Sequence, residues 1–189
     1  MSPRSTPAVQ ARPEPSARHP SKDAEPAAVH FRVELLDPHA HLYRVTLQLA
    51  QPQAGQTLQL PAWIPGSYLL REFSRHLQGM RAEQHGHAVA LAQRDKHTWH
   101  ADCQSGAPLE LRYEVYAADN SVRSAWLDAS RAFFNGTSLF LRALGHEDVP
   151  HSLDIVRPAE HAGWEVATAL QAQHTDAAGF GRYRAADYD

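Results

Sequence analysis

His146-Glu147-Asp148-Val149-Pro150-His151 holds the two histidines and the acid of a helical zinc site, but with one residue too many between the histidines. A metallopeptidase helix sets its ligands at i and i+4, so that both share a face and the Glu between them acts as general base. At i and i+5 two imidazoles point roughly 140° apart on a helix of ~3.6 residues per turn, and Pro150 would break that helix. Gly145 and Pro150 mark a loop between strands instead, and no metal role is assigned to this segment. His39-x-His41 and His85-x-His87 each put two imidazoles on one face of a strand, but neither has a third ligand at an evident spacing. His85-Gly86-His87 reads as a hairpin tip. Cys103 is the one cysteine, so it forms no intrachain disulfide, and its neighbours Asp102 and Gln104 bring no cation to lower its pKa. Ser67, Ser74 and His76 lack the Gly-x-Ser-x-Gly turn that would mark a nucleophile, and phosphate-loop and dinucleotide fingerprints are absent. The expected set of catalytic residues, metal ligands and cofactors in this chain is therefore empty.

Two other segments stand out by residue type and spacing. From Leu60 to Leu77 the chain reads Leu-Pro-Ala-Trp-Ile-Pro-Gly-Ser-Tyr-Leu-Leu-Arg-Glu-Phe-Ser-Arg-His-Leu. Pro65-Gly66 suits a type II turn, with Pro leading and Gly where φ must be positive. Trp63, Ile64, Tyr68, Leu69, Leu70 and Phe73 flank that corner, which predicts that it is pinned onto a core. Arg71, Glu72 and Arg75 read as a solvated or interdomain charge cluster. Asn135-Gly136, between Ala132-Phe133-Phe134 and Ser138-Leu139-Phe140, is the preferred pair for a tight hairpin turn.

The elements that must hold these segments are strands. Tyr43, Val45, Leu47 and Leu49 alternate with Arg44, Thr46 and Gln48, and Leu109, Leu111, Tyr113 and Val115 alternate with Glu110, Arg112 and Glu114. Further short strands are predicted at 31–35, 58–60, 80–84, 88–91, 98–101, 138–141, 151–156, 164–169 and 180–184. Turn residues separate them, as at Asp37-Pro38, His85-Gly86, Ser105-Gly106 and Ala178-Gly179. This pattern predicts an all-β chain, an antiparallel sandwich or saddle of many short strands. At most one short helix is expected, at Leu69 to Leu77.

Composition bounds the partners. A formal net charge of -3 with 18 Lys and Arg lacks the basic footprint of nucleic-acid binding. Residues 1–28, rich in Pro, Ala, Ser and Arg, cannot bury enough apolar area to offset ordering, so a disordered leader precedes one domain at 29–189. A domain of ~150 residues buries roughly 70% of its unfolded surface without staples. No secretory apolar core and no membrane span are evident, which predicts a cytoplasmic protein with no membrane partner.

The Pro-x-Trp-x-Pro-Gly-Ser-Tyr-x-x-Arg-Glu-Phe words, carried by Trp63, Pro65, Gly66, Ser67, Tyr68, Arg71, Glu72 and Phe73, resemble the amino-terminal domain of the glycyl aminopeptidases, the sixty-first metallopeptidase family. The likeness continues through Asp95 to Trp99, Leu111 to Ala117, Ser121 to Arg123, Trp126 to Asp128, Ala132 to Leu141, Gly163 to Leu170 and Ala186 to Asp189. It covers the chain from about Val29 onward. Whole members of that family look like three pieces: this β domain, a thermolysin-like zinc domain with a His-Glu-x-x-His helix, and a PDZ domain. The resemblance implies a fragment carrying only the first piece, inactive alone, with zinc and the hydrolysis of small amino-terminal residues such as Gly or Ala belonging to the missing domain. It implies two partners, the chain's own zinc domain and, through it, peptide substrates. By analogy with related aminopeptidases, Asn135, Gly136, Thr137 and Ser138 would form a first-domain lip of the substrate cleft. A free-standing β-sandwich that binds a protein or glycan is the alternative, and it would lack the exposed apolar patch expected of a domain parted from its neighbour.

Overall fold

The computed structural model describes residues 27–64 and 66–189. Most of the expected leader (residues 1–26) and Pro65 of the predicted turn lie outside the described residues.

The two clearest alternations form the centre of the fold. β1 (Val29–Asp37), β2 (Leu42–Leu49) and β8 (Leu109–Tyr116) are adjacent strands, and Val45 faces Val33 on one side and Tyr113 on the other. Tyr43, Val45, Leu47, Leu49, Leu109, Leu111 and Tyr113 are buried, each large apolar side chain contributing ~1.5–3 kcal/mol of transfer free energy. Around this centre an eight-stranded sheet runs β13-β14-β12-β1-β2-β8-β4-β5. The remaining members are β4 (Leu77–Gln84), β5 (His87–Val89), β12 (His151–Ile155), β13 (Gln171–Thr175) and β14 (Gly181–Ala185). Its pairs are antiparallel except one: β1 and β12 run parallel, with Val29 opposite His151.

A four-stranded sheet, β11-β3-β7-β6, comprises β3 (Gln56–Gln59), β6 (Leu91–Gln93), β7 (Thr98–Ala101) and β11 (Arg142–Ala143). A hairpin of β9 (Ala125–Leu127) and β10 (Ala132–Phe134) stands by itself. One core cluster draws Leu58, Trp99 and Ala101 from the small sheet together with Val45, Leu111 and Leu153 from the large one, so the two sheets share a core in the manner of a sandwich. The other face of the large sheet is a polar depression of about 840 Å³, lined by charges of both signs, among them Arg32, Glu34, Arg44, Arg81, Glu110 and Arg112. Pairs such as Arg44–Glu114 at 3.4 Å keep that face wet, each contributing ~1 kcal/mol or less.

His85 and Gly86 have φ of 54° and 75°, as a two-residue type I′ hairpin requires, so the tip between β4 and β5 is as expected. Several other expectations are corrected. The helix expected at Leu69 to Leu77 shrinks to a 3-10 turn over Phe73–His76: Phe73 is buried and Leu77 packs on the core as the first residue of β4, whereas Leu69 and Leu70 are exposed. Asn135-Gly136 is not a hairpin tip. Asn135 has φ −91° and ψ 134° and caps a helical turn, Gly136–Leu139, its side chain accepting the Thr137 N–H. That turn displaces the strand expected at 138–141, leaving only β11. Residues 164–168 form no strand, although Val166 N–H donates to Ala178 O at 2.8 Å, and the last hairpin begins instead at the polar strand β13. The signature corner is only half pinned: Ile64 and Phe73 are buried, whereas Trp63 is 50% and Leu70 80% exposed, with Tyr68 and Leu69 also open.

Candidate functional site

The helical turn and the signature corner meet. Asn135, Gly136 and Thr137 line a cleft of about 880 Å³ together with Pro61 and Trp63. Phe31, Phe134 and Phe140 give it an aromatic floor, with Phe31 and Phe140 ring centroids 4.6 Å apart. Leu170 and Tyr188 close the remaining side.

Local hydrogen bonding fixes what the turn can present. Asn135 Oδ1 accepts from the Thr137 N–H at 3.2 Å and from Thr137 Oγ1 at 2.7 Å. A backbone N–H can only donate, so the amide orientation follows, and Nδ2 is the group that no described residue uses. Ser138 is buried, and its hydroxyl donates to the Asn135 carbonyl at 2.7 Å; it closes the turn and does not line the cleft. Asn135 N–H donates to Ser124 O at 2.9 Å, tying the turn to the β9 side. The cleft wall is thus rigid, and its free polar atom is a donor.

The rest of the signature lies elsewhere. Gly66 has φ +78°, Trp63 Nε1–H donates to Ser67 O at 2.8 Å, and Ser67 Oγ donates to Leu69 O at 3.0 Å, so the corner is tied mainly to itself. Arg71, Glu72 and Phe73 border a separate shallow depression of about 300 Å³ with Leu69 and Leu70. Lys96 Nζ lies 2.7 Å from Glu72 Oε1 and holds that carboxyl below its ordinary value; both side chains are exposed.

The other sequence candidates are occupied by structural roles. His151 Nδ1–H donates to Val149 O at 2.7 Å, and burial lowers its pKa. His41 Nδ1 contacts Leu127 O, Ser74 Oγ pairs with His97 Nδ1 at 3.2 Å, and the buried Cys103 thiol meets Gln53 O at 3.3 Å. Among the described residues no three His, Cys, Asp or Glu side chains gather as metal ligands, so the residues present do not fit a zinc ion. No described helix is long and apolar enough to cross a membrane.

A Ser–His–Asp array that sequence spacing could not reveal does exist. Ser152 Oγ lies 2.7 Å from His30 Nδ1, and His30 Nε2 lies 3.2 Å from Asp154. The acceptor-only carboxylate puts the proton on Nε2, so the Ser152 hydroxyl donates to Nδ1. Yet Ser152 is buried, and β12 is paired on both edges, leaving no backbone N–H free to stabilise an oxyanion. Arg182 further claims Asp154 through two hydrogen bonds of 2.8 Å. The array pins β1, β12 and β14 together.

Sequence reasoning missed Arg142, which lines the cleft from β11. A lone cation directly after the apolar run ending in Leu139-Phe140-Leu141 was the available signal.

A family model described as the peptidase M61 N-terminal domain matches residues 30–189. Among solved structures the chain is similar to an aminopeptidase N family protein from Idiomarina loihiensis, with 40% identity and a TM-score of 0.81 over 85% of this chain and 27% of that one. It is also similar to an M1 zinc metallopeptidase from Deinococcus radiodurans in a mutant form bound to a Tyr-Ser-Ala substrate, with 17% identity and a TM-score of 0.42 over 82% of this chain and 37% of that one. The chain therefore spans about a quarter of the Idiomarina protein's length, 27%. Comparison with curated proteins gives no match.

Proposed function

Because the chain belongs to the peptidase M61 N-terminal domain family, we propose that it is the non-catalytic wall of a metallo-aminopeptidase, shaping the substrate cleft and seating a zinc domain that removes small amino-terminal residues. The observation that carries this reading is the meeting of the two motif segments, Pro61 and Trp63 with Asn135 to Thr137, around one apolar cleft. Trp63, Leu69, Leu70, Phe133 and Leu170 are exposed, an apolar surface of the kind a self-sufficient binding module would have made polar.

The described residues assemble no cluster of metal ligands, so zinc and the general base that works with it are assigned to a neighbouring domain. This chain's part is exclusion and orientation. The Asn135–Leu139 turn acts as a stop beside the substrate's amino end. Asn135 Nδ2 donates to a peptide carbonyl there, since its oxygen is already used within the turn.

The test is made in the longer enzyme that carries this domain. Asn135→Ala and Thr137→Ala should lower kcat/KM on Gly-p-nitroanilide several-fold and weaken the preference for Gly over larger residues. Kinetic constants unchanged in both variants would sink the reading.

A further inference from the structure

Arg142 is half-buried in the cleft, and no described carboxylate forms an ion pair with it. Its Nη2 donates to Gln59 Oε1, its cross-strand neighbour, and no other described residue accepts from it. Its Nε is buried with no hydrogen-bond partner. The seven ion pairs among the described residues do not include it. A guanidinium carries five N–H donors in a planar fork, and a buried one left unmet, as at Nε, is costly. Asn135 Nδ2, on the same cleft, is a second unused donor. The rest of the lining mixes aromatic and aliphatic side chains with Thr137, His151, Ser152 and Thr168. Asp187 and Asp189 sit exposed on the rim and pair with neither donor.

We propose that this cleft is a binding site for an organic carboxylate on an aromatic or branched apolar body, such as the carboxyl-terminal residue of a short peptide. The Nη1–Nη2 edge of Arg142 takes the carboxylate, Asn135 Nδ2 adds a donor, and the ring packs over Phe31, Phe134 and Phe140. Two donors and an apolar floor select an amphipathic anion. The inference shares Asn135 Nδ2 with the peptidase reading, one of its two hydrogens serving each group, and binding to the chain without turnover tests it apart from that reading.

The experiment titrates N-acetyl-phenylalanine and its carboxamide into the 189-residue chain, reading amide and indole shifts by NMR. The acid should bind saturably and at least about tenfold more tightly than the amide, the worth of one charge-assisted contact. The shifts should centre on Trp63 Nε1–H and Asn135 Nδ2. Arg142→Gln should abolish the difference between acid and amide, while Asp187→Asn, which removes a repelling rim charge, should tighten the acid several-fold. If Arg142→Gln fails to fold, the acid-to-amide ratio on the unaltered chain decides. Equal binding of acid and amide, shifts scattered away from the cleft, or no saturation at roughly 10 mM would each overturn the proposal.

Discussion

The hydroxyl of Tyr113, in the middle of β8, donates to the carbonyl of Leu139 at 2.8 Å, and the same oxygen accepts the Leu141 N–H at 3.2 Å. This buried group joins the sheet centre to the end of the helical turn that forms the cleft wall, and burial raises its pKa well above the ordinary tyrosine value. Tyr113→Phe leaves a buried N–H and C=O unpaired, so it should cost ~1–3 kcal/mol. Urea unfolding should show a lower midpoint at unchanged slope, and the Trp63 environment should become more mobile.

Backbone approach makes a second prediction. Gly181 has φ 137°, and a Cβ there would lie 2.2 Å from His174 O, so neither the conformation nor the space admits alanine. Gly106 has φ +83° but open space around it. Gly106→Ala should cost about 1–2 kcal/mol, the strain of a left-handed L-residue alone. Gly181→Ala should exceed roughly 3 kcal/mol by displacing the β13–β14 hairpin. Equal losses of Tm in the two variants would contradict the packing described for that hairpin.

What was legible in the sequence followed from one-sided burial. β2 and β8 bury one face and wet the other, so their period of two is plain in the residues. β13, Gln171–Thr175, is mostly exposed on both faces at the sheet's edge, and nothing in its polar residues marks a strand. Asn135-Gly136 misled because asparagine suits both a hairpin tip and a helix cap. Thr137, whose N–H and hydroxyl both reach Asn135, decided for the cap. The corner misled differently. Trp63, Leu69 and Leu70 are apolar in the manner of core residues, but that describes what they are suited to meet, and the described residues leave each of them at least half exposed. The cleft itself joins segments more than a hundred residues apart, which no local pattern reports.

Acid should weaken the fold before any carboxylate titrates. Burial lowers the pKa of His30, His76 and His151 below their ordinary 6.5. For His30 the nearby Asp154 pulls the other way, but Arg182 and Arg32 add to the depression. Below pH 6.5 the unfolded chain therefore binds more protons than the folded one at these sites, and stability present at neutral pH is lost as pH falls through the lowered values. Tm should already decline between about pH 6.5 and 5, and His30→Gln should flatten that slope. A Tm constant across this range would refute the assignment.

The exposed apolar corner predicts a separation of stability from stickiness. Leu70→Ser removes a side chain that is 80% exposed and should change stability by no more than about 0.5 kcal/mol. Phe73→Ala, three residues on and buried, should cost ~3–5 kcal/mol. Binding of a hydrophobic dye to the native chain should fall in the first variant, whereas in the second it should rise as the fold loosens.

The parallel partnership of β1 with β12 also sets an order of events during synthesis. His30 waits for Ser152, 122 residues later, before that side of its strand has a neighbour. Until then the hairpin of β1 and β2 emerges with a row of unmet backbone groups along Val29 to Val33, an open template for any other extended segment nearby. Ribosome-bound chains halted short of residue 151 should therefore depend on chaperones far more than those released past the final hairpin.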